Sequence, residues 1–137
     1  MELKKTVLSG IQPSGQLCLS NYIGAILNWK KLQKNYRCIF LIVDLHALTV
    51  YQLPSEFRKR TLSFIAQYIA CGINPKESII ALQSYIPAHS ELTWILNSMT
   101  YIGELNRMTQ FKDKKGNKSE SVNSGLLTYP ILMASDI

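Results

Sequence analysis

Three short stretches hold most of the side chains able to do chemistry: Gly10-Ile-Gln-Pro-Ser-Gly15, Asp44-Leu-His46 and Ser84 to His89. The first runs through Cys18-Leu-Ser-Asn21 into a helical pattern. It is not the Gly-x-Gly-x-x-Gly dinucleotide fingerprint, and no Gly-Lys-Ser/Thr follows to make a P-loop. Read from pattern alone it is a strand-to-helix turn. Such a turn can still hold a phosphate. Asn21 suits an N-cap, and a helix start there presents unpaired N–H groups and a positive dipole end. His46 has the side chain of a general base. The three cysteines, Cys18, Cys38 and Cys71, are odd in number and lack Cys-x-x-Cys spacing, so they support neither a disulfide framework nor a zinc site, and no metal ligand set is expected. Cys38 and Cys71 sit in apolar surroundings and are expected to pack as small hydrophobes.

The elements that must position these residues alternate along the chain. Thr6 to Ser9 reads as a strand, and a helix is expected from about Asn21 to Asn35 with the stripe Tyr22, Ala25, Trp29, Leu32 and Tyr36. Arg37 to Val43 is an almost wholly apolar strand, as when both sheet faces are covered. Pro54, Ser55 and Glu56 open a second helix, with stripe Leu62, Ile65, Ala66 and Ile69, ended by Gly72. Ser78 to Leu82 is a third strand. Pro87 to Met99 is a third helix, striped by Leu92, Ile95, Leu96 and Met99. Phe111 to Glu120 is a Lys-rich stretch without periodicity, and Gly125 to Ile137 is helical again. This β-α-β-α-β-α order predicts an α/β fold with a Rossmann-like, doubly wound parallel sheet. Ligands bind such sheets at the carboxyl ends of the strands. All three polar stretches follow strands, so they are expected on one edge.

The 137 residues carry 15 Lys and Arg against 9 Asp and Glu, a net charge of +6, which favours nucleotides or nucleic acid as partners. No apolar run approaches the roughly 20 residues of a membrane span, and no signal-peptide pattern is present, so a cytoplasmic protein is expected.

Taken in order, the blocks of this chain resemble the tryptophanyl-tRNA synthetases, class I aminoacyl-tRNA synthetases. They are Ser9-Gly-Ile-Gln-Pro-Ser-Gly15, Asn21-Tyr-Ile-Gly-Ala25, Val43-Asp-Leu-His-Ala47, Ala70-Cys-Gly-Ile-Asn-Pro75, Gln83-Ser84 with Pro87-Ala-His89, Gly103 to Lys112, Gly125-Leu-Leu-Thr-Tyr-Pro130 and Leu132-Met-Ala-Ser-Asp136. The resemblance implies activation of tryptophan with ATP, accompanied by Mg2+, to tryptophanyl-adenylate and pyrophosphate. Transfer to tRNA(Trp) follows, in a homodimer. It implies ATP contacts from Gln12, Pro13, Ser14, Ser20 and Asn21, and lysines Lys112 and Lys114 that reach the phosphates. It implies a tryptophan site drawn from Leu8, Gln12, Val43, His46, Tyr129, Met133 and Asp136. Asp136 would accept the indole N–H, since indole is a donor only. His46 would orient substrate rather than act as a base, because the attacking carboxylate has no proton to lose at neutral pH. His89 is expected to be structural. Ser20 stands where the family has glycine, and Cys18 where it has threonine. Residues 1–137 would be the first part of the catalytic domain, incomplete at the C-terminus, with the second lysine-bearing loop and the anticodon-binding helices lying beyond. Two other readings are a degenerate nucleotide-binding or dimerising relative, and an enzyme of tyrosyl specificity.

Overall fold

The structure, a computed structural model, describes residues 4–109 and 123–137. They fall into two units: residues 4–47 with 52–85, and residues 48–51 with 86–109 and 123–137.

The first unit is built on three parallel strands in the order β1 (Thr6–Ile11), β2 (Arg37–Ile42) and β3 (Ser78–Leu82). The register pairs Leu8 with Ile39 and Gly10 with Leu41, then Ile39 with Ile79. Parallel neighbours need crossovers, and helices supply both. The first crossover holds α1 (Leu19–Asn21), a π-helical turn (Tyr22–Ile26) and α2 (Leu27–Leu32). The second holds α3 (Asp44–Ala47) and α4 (Pro54–Ala70). The α/β, Rossmann-like architecture expected from the alternation is the one observed.

Successive strand residues point to opposite faces. Cys38, Phe40 and Ile42 therefore share one face of the central strand, and all three are buried there with Ile26 and Trp29 of the first crossover and Phe64 and Tyr68 of α4. Trp29 stacks on Phe40 at 4.5 Å between ring centroids and meets Tyr68 edge-on at 5.2 Å. Both crossovers thus place a helix on the same sheet face.

The stripe expected for α4 is corrected here. Leu62 and Ile69 are largely exposed, whereas Thr61, Phe64 and Tyr68 are buried. The helix turns Phe64 and Tyr68 inward because they bury far more apolar area than Leu62 and Ile69 would. Gly72 does end α4, in the left-handed conformation at φ +99°. Its N–H bonds the Ile69 carbonyl and that of Ile73 bonds the Tyr68 carbonyl, the pair of bonds of a Schellman motif. Buried Ile73 and Tyr68 supply the apolar contact that accompanies it.

The second unit is helical: α5 (Pro87–Met99), α6 (Ile102–Leu105) and α7 (Ser124–Ser135). Asn123 caps α7, accepting the Leu126 N–H at 3.0 Å. α5 packs on α7 through Thr93, whose hydroxyl lies 3.0 Å from that of Ser135. The stripe expected for α5 is not a core. Leu92, Ile95 and Met99 are exposed in the single chain, and α5 has no fully buried residue.

Candidate functional site

Parallel pairing brings the carboxyl ends of β1, β2 and β3 to one edge. There stand the Gly10–Gly15 loop, α3, and the 3-10 turn Gln83–Tyr85. Asp44 joins two of them. Its Oδ1 accepts the N–H of Leu45 at 3.1 Å and that of Ser84 at 2.9 Å. The fully buried Gln83 presents Oε1 to the same Leu45 N–H at 3.1 Å. A buried carboxylate is normally costly. Here two backbone donors hold it, and it locks the loops after β2 and β3 together. Sequence reasoning marked Asp44 only as part of a polar step; its structural task shows in the hydrogen bonds. His46 follows on α3 and is buried.

At the first strand, Leu8 and Gly10 lie on the face opposite the helical core, in line with Ile39 and Leu41. Gly10 has a steric reason to be glycine. A Cβ there would come within 2.9 Å of Val43 Cγ1 and 3.0 Å of the Leu41 carbonyl oxygen. Val43 thus packs closely over Gly10, on the sheet face that also carries Leu8.

Beyond β1 the chain forms a cleft of about 510 Å³ whose walls include Gly10, Gln12, Ser14, Gly15, Cys18 and Asn21. That size is within the range of small-molecule sites. Gln12, Ser14 and Ser20 are exposed. Pro13, within the same loop, has a fully buried side chain. The expected cap at Asn21 is corrected. The N-cap of α1 is Cys18, and Asn21 stands at the third helical position. From there its Oδ1 accepts the Cys18 backbone N–H at 3.2 Å and lies 2.8 Å from the Cys18 sulfur. The side chain thus reaches back to satisfy the cap residue instead of capping forward.

Ser20 Oγ is 2.9 Å from the Cys18 sulfur. This hydroxyl foremost, and then the backbone of Asn21, holds the Cys18 thiol below its ordinary range. Cys38 is buried, and desolvation pushes its thiol up. Thiolate and access together decide reactivity. Iodoacetamide at neutral pH is therefore expected to label Cys18 at least about tenfold faster than Cys38. Peptide mapping against time checks this, and labelling of Cys38 at an equal rate would contradict it.

In the second unit, Tyr129, Met133 and Asp136 recur four and three residues apart along α7 and its C-cap, which puts them on one side of the helix. Met133 is half exposed and Asp136 nearly buried. His89, at the start of α5, lies with Nδ1 3.1 Å from Asp136 Oδ1 and 3.1 Å from the Ser135 carbonyl oxygen. Nothing in the spacing of the sequence pointed to that pair. Lys112 and Lys114 lie outside the described residues, as do Lys115 and Lys118. Among the described residues no group of three or more His, Cys, Asp or Glu side chains is placed to hold a metal ion. No helix there is long and apolar enough to cross a membrane.

The model of the class I tRNA synthetases (W and Y) matches residues 2–137. A tryptophan–tRNA ligase of Clostridium tetani (strain Massachusetts / E88) is 60% identical over 134 residues, covering 98% of this chain and 40% of the relative. The chain thus spans about two fifths of the length of the curated relatives it matches. Among solved structures, the tryptophanyl-tRNA synthetase of Mycoplasma pneumoniae superposes with a TM-score of 0.90 at 36% identity, over 98% of this chain and 41% of that one. That of Campylobacter jejuni, complexed with ADP and tryptophan, gives a TM-score of 0.86 at 36% identity, over 96% of this chain and 41% of that one.

Proposed function

Because the chain belongs to the class I tRNA synthetases of the W and Y type, we propose that it is the part of a tryptophan–tRNA ligase that binds tryptophan and begins to bind ATP. The whole protein joins the two to tryptophanyl-adenylate, releases pyrophosphate, and passes the tryptophanyl group to tRNA(Trp). The observation that carries this reading is the cleft at the carboxyl end of β1, where the Gly10–Gly15 loop and the Cys18–Asn21 turn face each other.

At and beside that cleft Gln12, Pro13, Ser14, Ser20 and Asn21 contact ATP. Helix-start N–H groups face the phosphates, where they counter negative charge. Adenylation of this kind is catalysed mainly by positioning and charge compensation, so no general base is needed and His46 serves to shape the pocket. Lys112 and Lys114 offset charge on the phosphates, and Mg2+ enters with ATP as its counter-ion. Leu8 and Val43 line the pocket for the amino acid, and Gln12 receives its carboxylate end. Tyr129 holds its amino group, Met133 packs on its ring, and Asp136 accepts the indole N–H. Tryptophan is favoured over tyrosine by three relatives at 57–60% identity, each a tryptophan–tRNA ligase. The exposed apolar side of α5, with Leu92, Ile95 and Met99, supports pairing with a second copy.

Tryptophan-dependent ATP–pyrophosphate exchange tests the reading. The chain is assayed as it stands and completed with the remainder of the Clostridium tetani relative. Exchange with tryptophan in the completed chain is the expected result. Exchange with tyrosine instead would overturn the specificity, and exchange with neither would favour a degenerate nucleotide-binding relative.

A further inference from the structure

A carboxylate at the C-cap of a helix sits against the negative end of the helix dipole, so Asp136 costs the fold stability where it stands. Its side chain is also only 8% exposed. A residue placed against both helix dipole and burial needs a local donor, and His89 supplies it.

The tautomer follows from the neighbours. Nδ1 of His89 lies 3.1 Å from the Ser135 carbonyl oxygen and 3.1 Å from Asp136 Oδ1. A carbonyl can only accept, so Nδ1 carries the hydrogen and shares it between the two oxygens. The imidazole is in turn fixed by its surroundings. It is 12% exposed, and the Thr93 hydroxyl, one turn on, bonds the His89 carbonyl at 2.6 Å. The Ser135 hydroxyl reaches the Ile131 carbonyl at 2.9 Å, which holds the last turn of α7 in place.

We propose that His89 is a positioning residue for substrate choice: its Nδ1–H fixes the direction of the Asp136 carboxylate and thereby the preference for an amino acid bearing an indole N–H. The proposal rests on Asp136 being the indole acceptor. A rigid acceptor discriminates more sharply than a mobile one, because a ligand without the donor leaves it unpaired.

The test compares tryptophan with its benzothienyl analogue, in which sulfur replaces the indole N–H. The readout is the ratio of kcat/KM for the two in pyrophosphate exchange, using the chain completed with the remainder of the Clostridium tetani relative. His89→Asn keeps a donor near the Nδ1 position, His89→Leu removes it, and His89→Gln carries its amide one bond too far. The ratio is expected to fall by about tenfold or more in His89→Leu and His89→Gln, through KM for tryptophan with kcat little changed, and to recover in His89→Asn. A purely structural role would lower kcat/KM for both amino acids alike and leave their ratio intact. An unchanged ratio in His89→Gln overturns the proposal even if His89→Leu does not fold, and so does a His89→Asn variant as impaired as His89→Gln. Asp136→Asn separates the two levels. If it leaves the ratio unchanged, the assignment of Asp136 fails and the proposal with it. If it collapses the ratio while the His89 variants do not, the positioning role alone is wrong.

Discussion

Asp136→Asn is expected to raise the tryptophan KM in pyrophosphate exchange by about tenfold to a hundredfold, with kcat within about threefold of the parent. The size follows from the kind of bond. A hydrogen bond to a charged group contributes about 1.5–3 kcal/mol, and each 1.4 kcal/mol is a factor of ten. Asparagine keeps the shape but replaces one acceptor oxygen by an NH2 group. The His89 N–H and the substrate N–H would then compete for a single neutral acceptor. The effect falls on KM because the indole end of the substrate is remote from its reacting carboxylate, so ground state and transition state lose the same bond. Steady-state kinetics in exchange give both constants. A large fall in kcat with unchanged KM would mean that Asp136 acts on the chemistry and not on recognition.

The second large effect concerns stability. Phe40→Ala is expected to cost about 3–5 kcal/mol. Phe40 is fully buried at the middle of the central strand and stacks on Trp29, so truncation opens a cavity that the surrounding strands and helices can fill only partly. Globular domains are stable by only about 5–15 kcal/mol, so this one change removes a large share of the total. By contrast Leu62→Ala, at a residue 59% exposed, should stay within about 0.5 kcal/mol of the parent. Urea titrations of the two variants provide the comparison. Equal losses would show that α4 turns its Leu62 side to the sheet.

That contrast also shows what local pattern can and cannot convey. β3 and α5 match the expected bounds of Ser78–Leu82 and Pro87–Met99, because a β-branched apolar run and a proline at the first helical turn are strong local signals. The inward face of α4 was misread because Leu62 and Ile69 form as good a helical stripe as Phe64 and Tyr68 do. Only tertiary packing decides between them, as where Tyr68 meets Trp29 of α2 edge-on. The convergence of polar loops was legible because parallel strands leave no other arrangement. The His89–Asp136 pair was not, since the two residues are distant in sequence and their meeting depends on how α5 lies along α7. Asn21 was recognised as belonging to a helix start, but the cap was placed three residues too late. Cysteine is an unusual N-cap, so the preference for Asn at that position misled.

The π-helical turn at Tyr22–Ile26 gives the first crossover two phases. Each π-type bond spans one residue more than an α-helical bond. At 3.6 residues per turn, one residue is about 100° of rotation. The face that carries Asn21 at the cleft and the face that carries Trp29 against the sheet are therefore out of step along one continuous rod. Ile26, at the end of that turn and outside the expected stripe, is fully buried. The extra residue acts as a vernier, allowing the cleft-facing turn and the core-facing turn to be set independently.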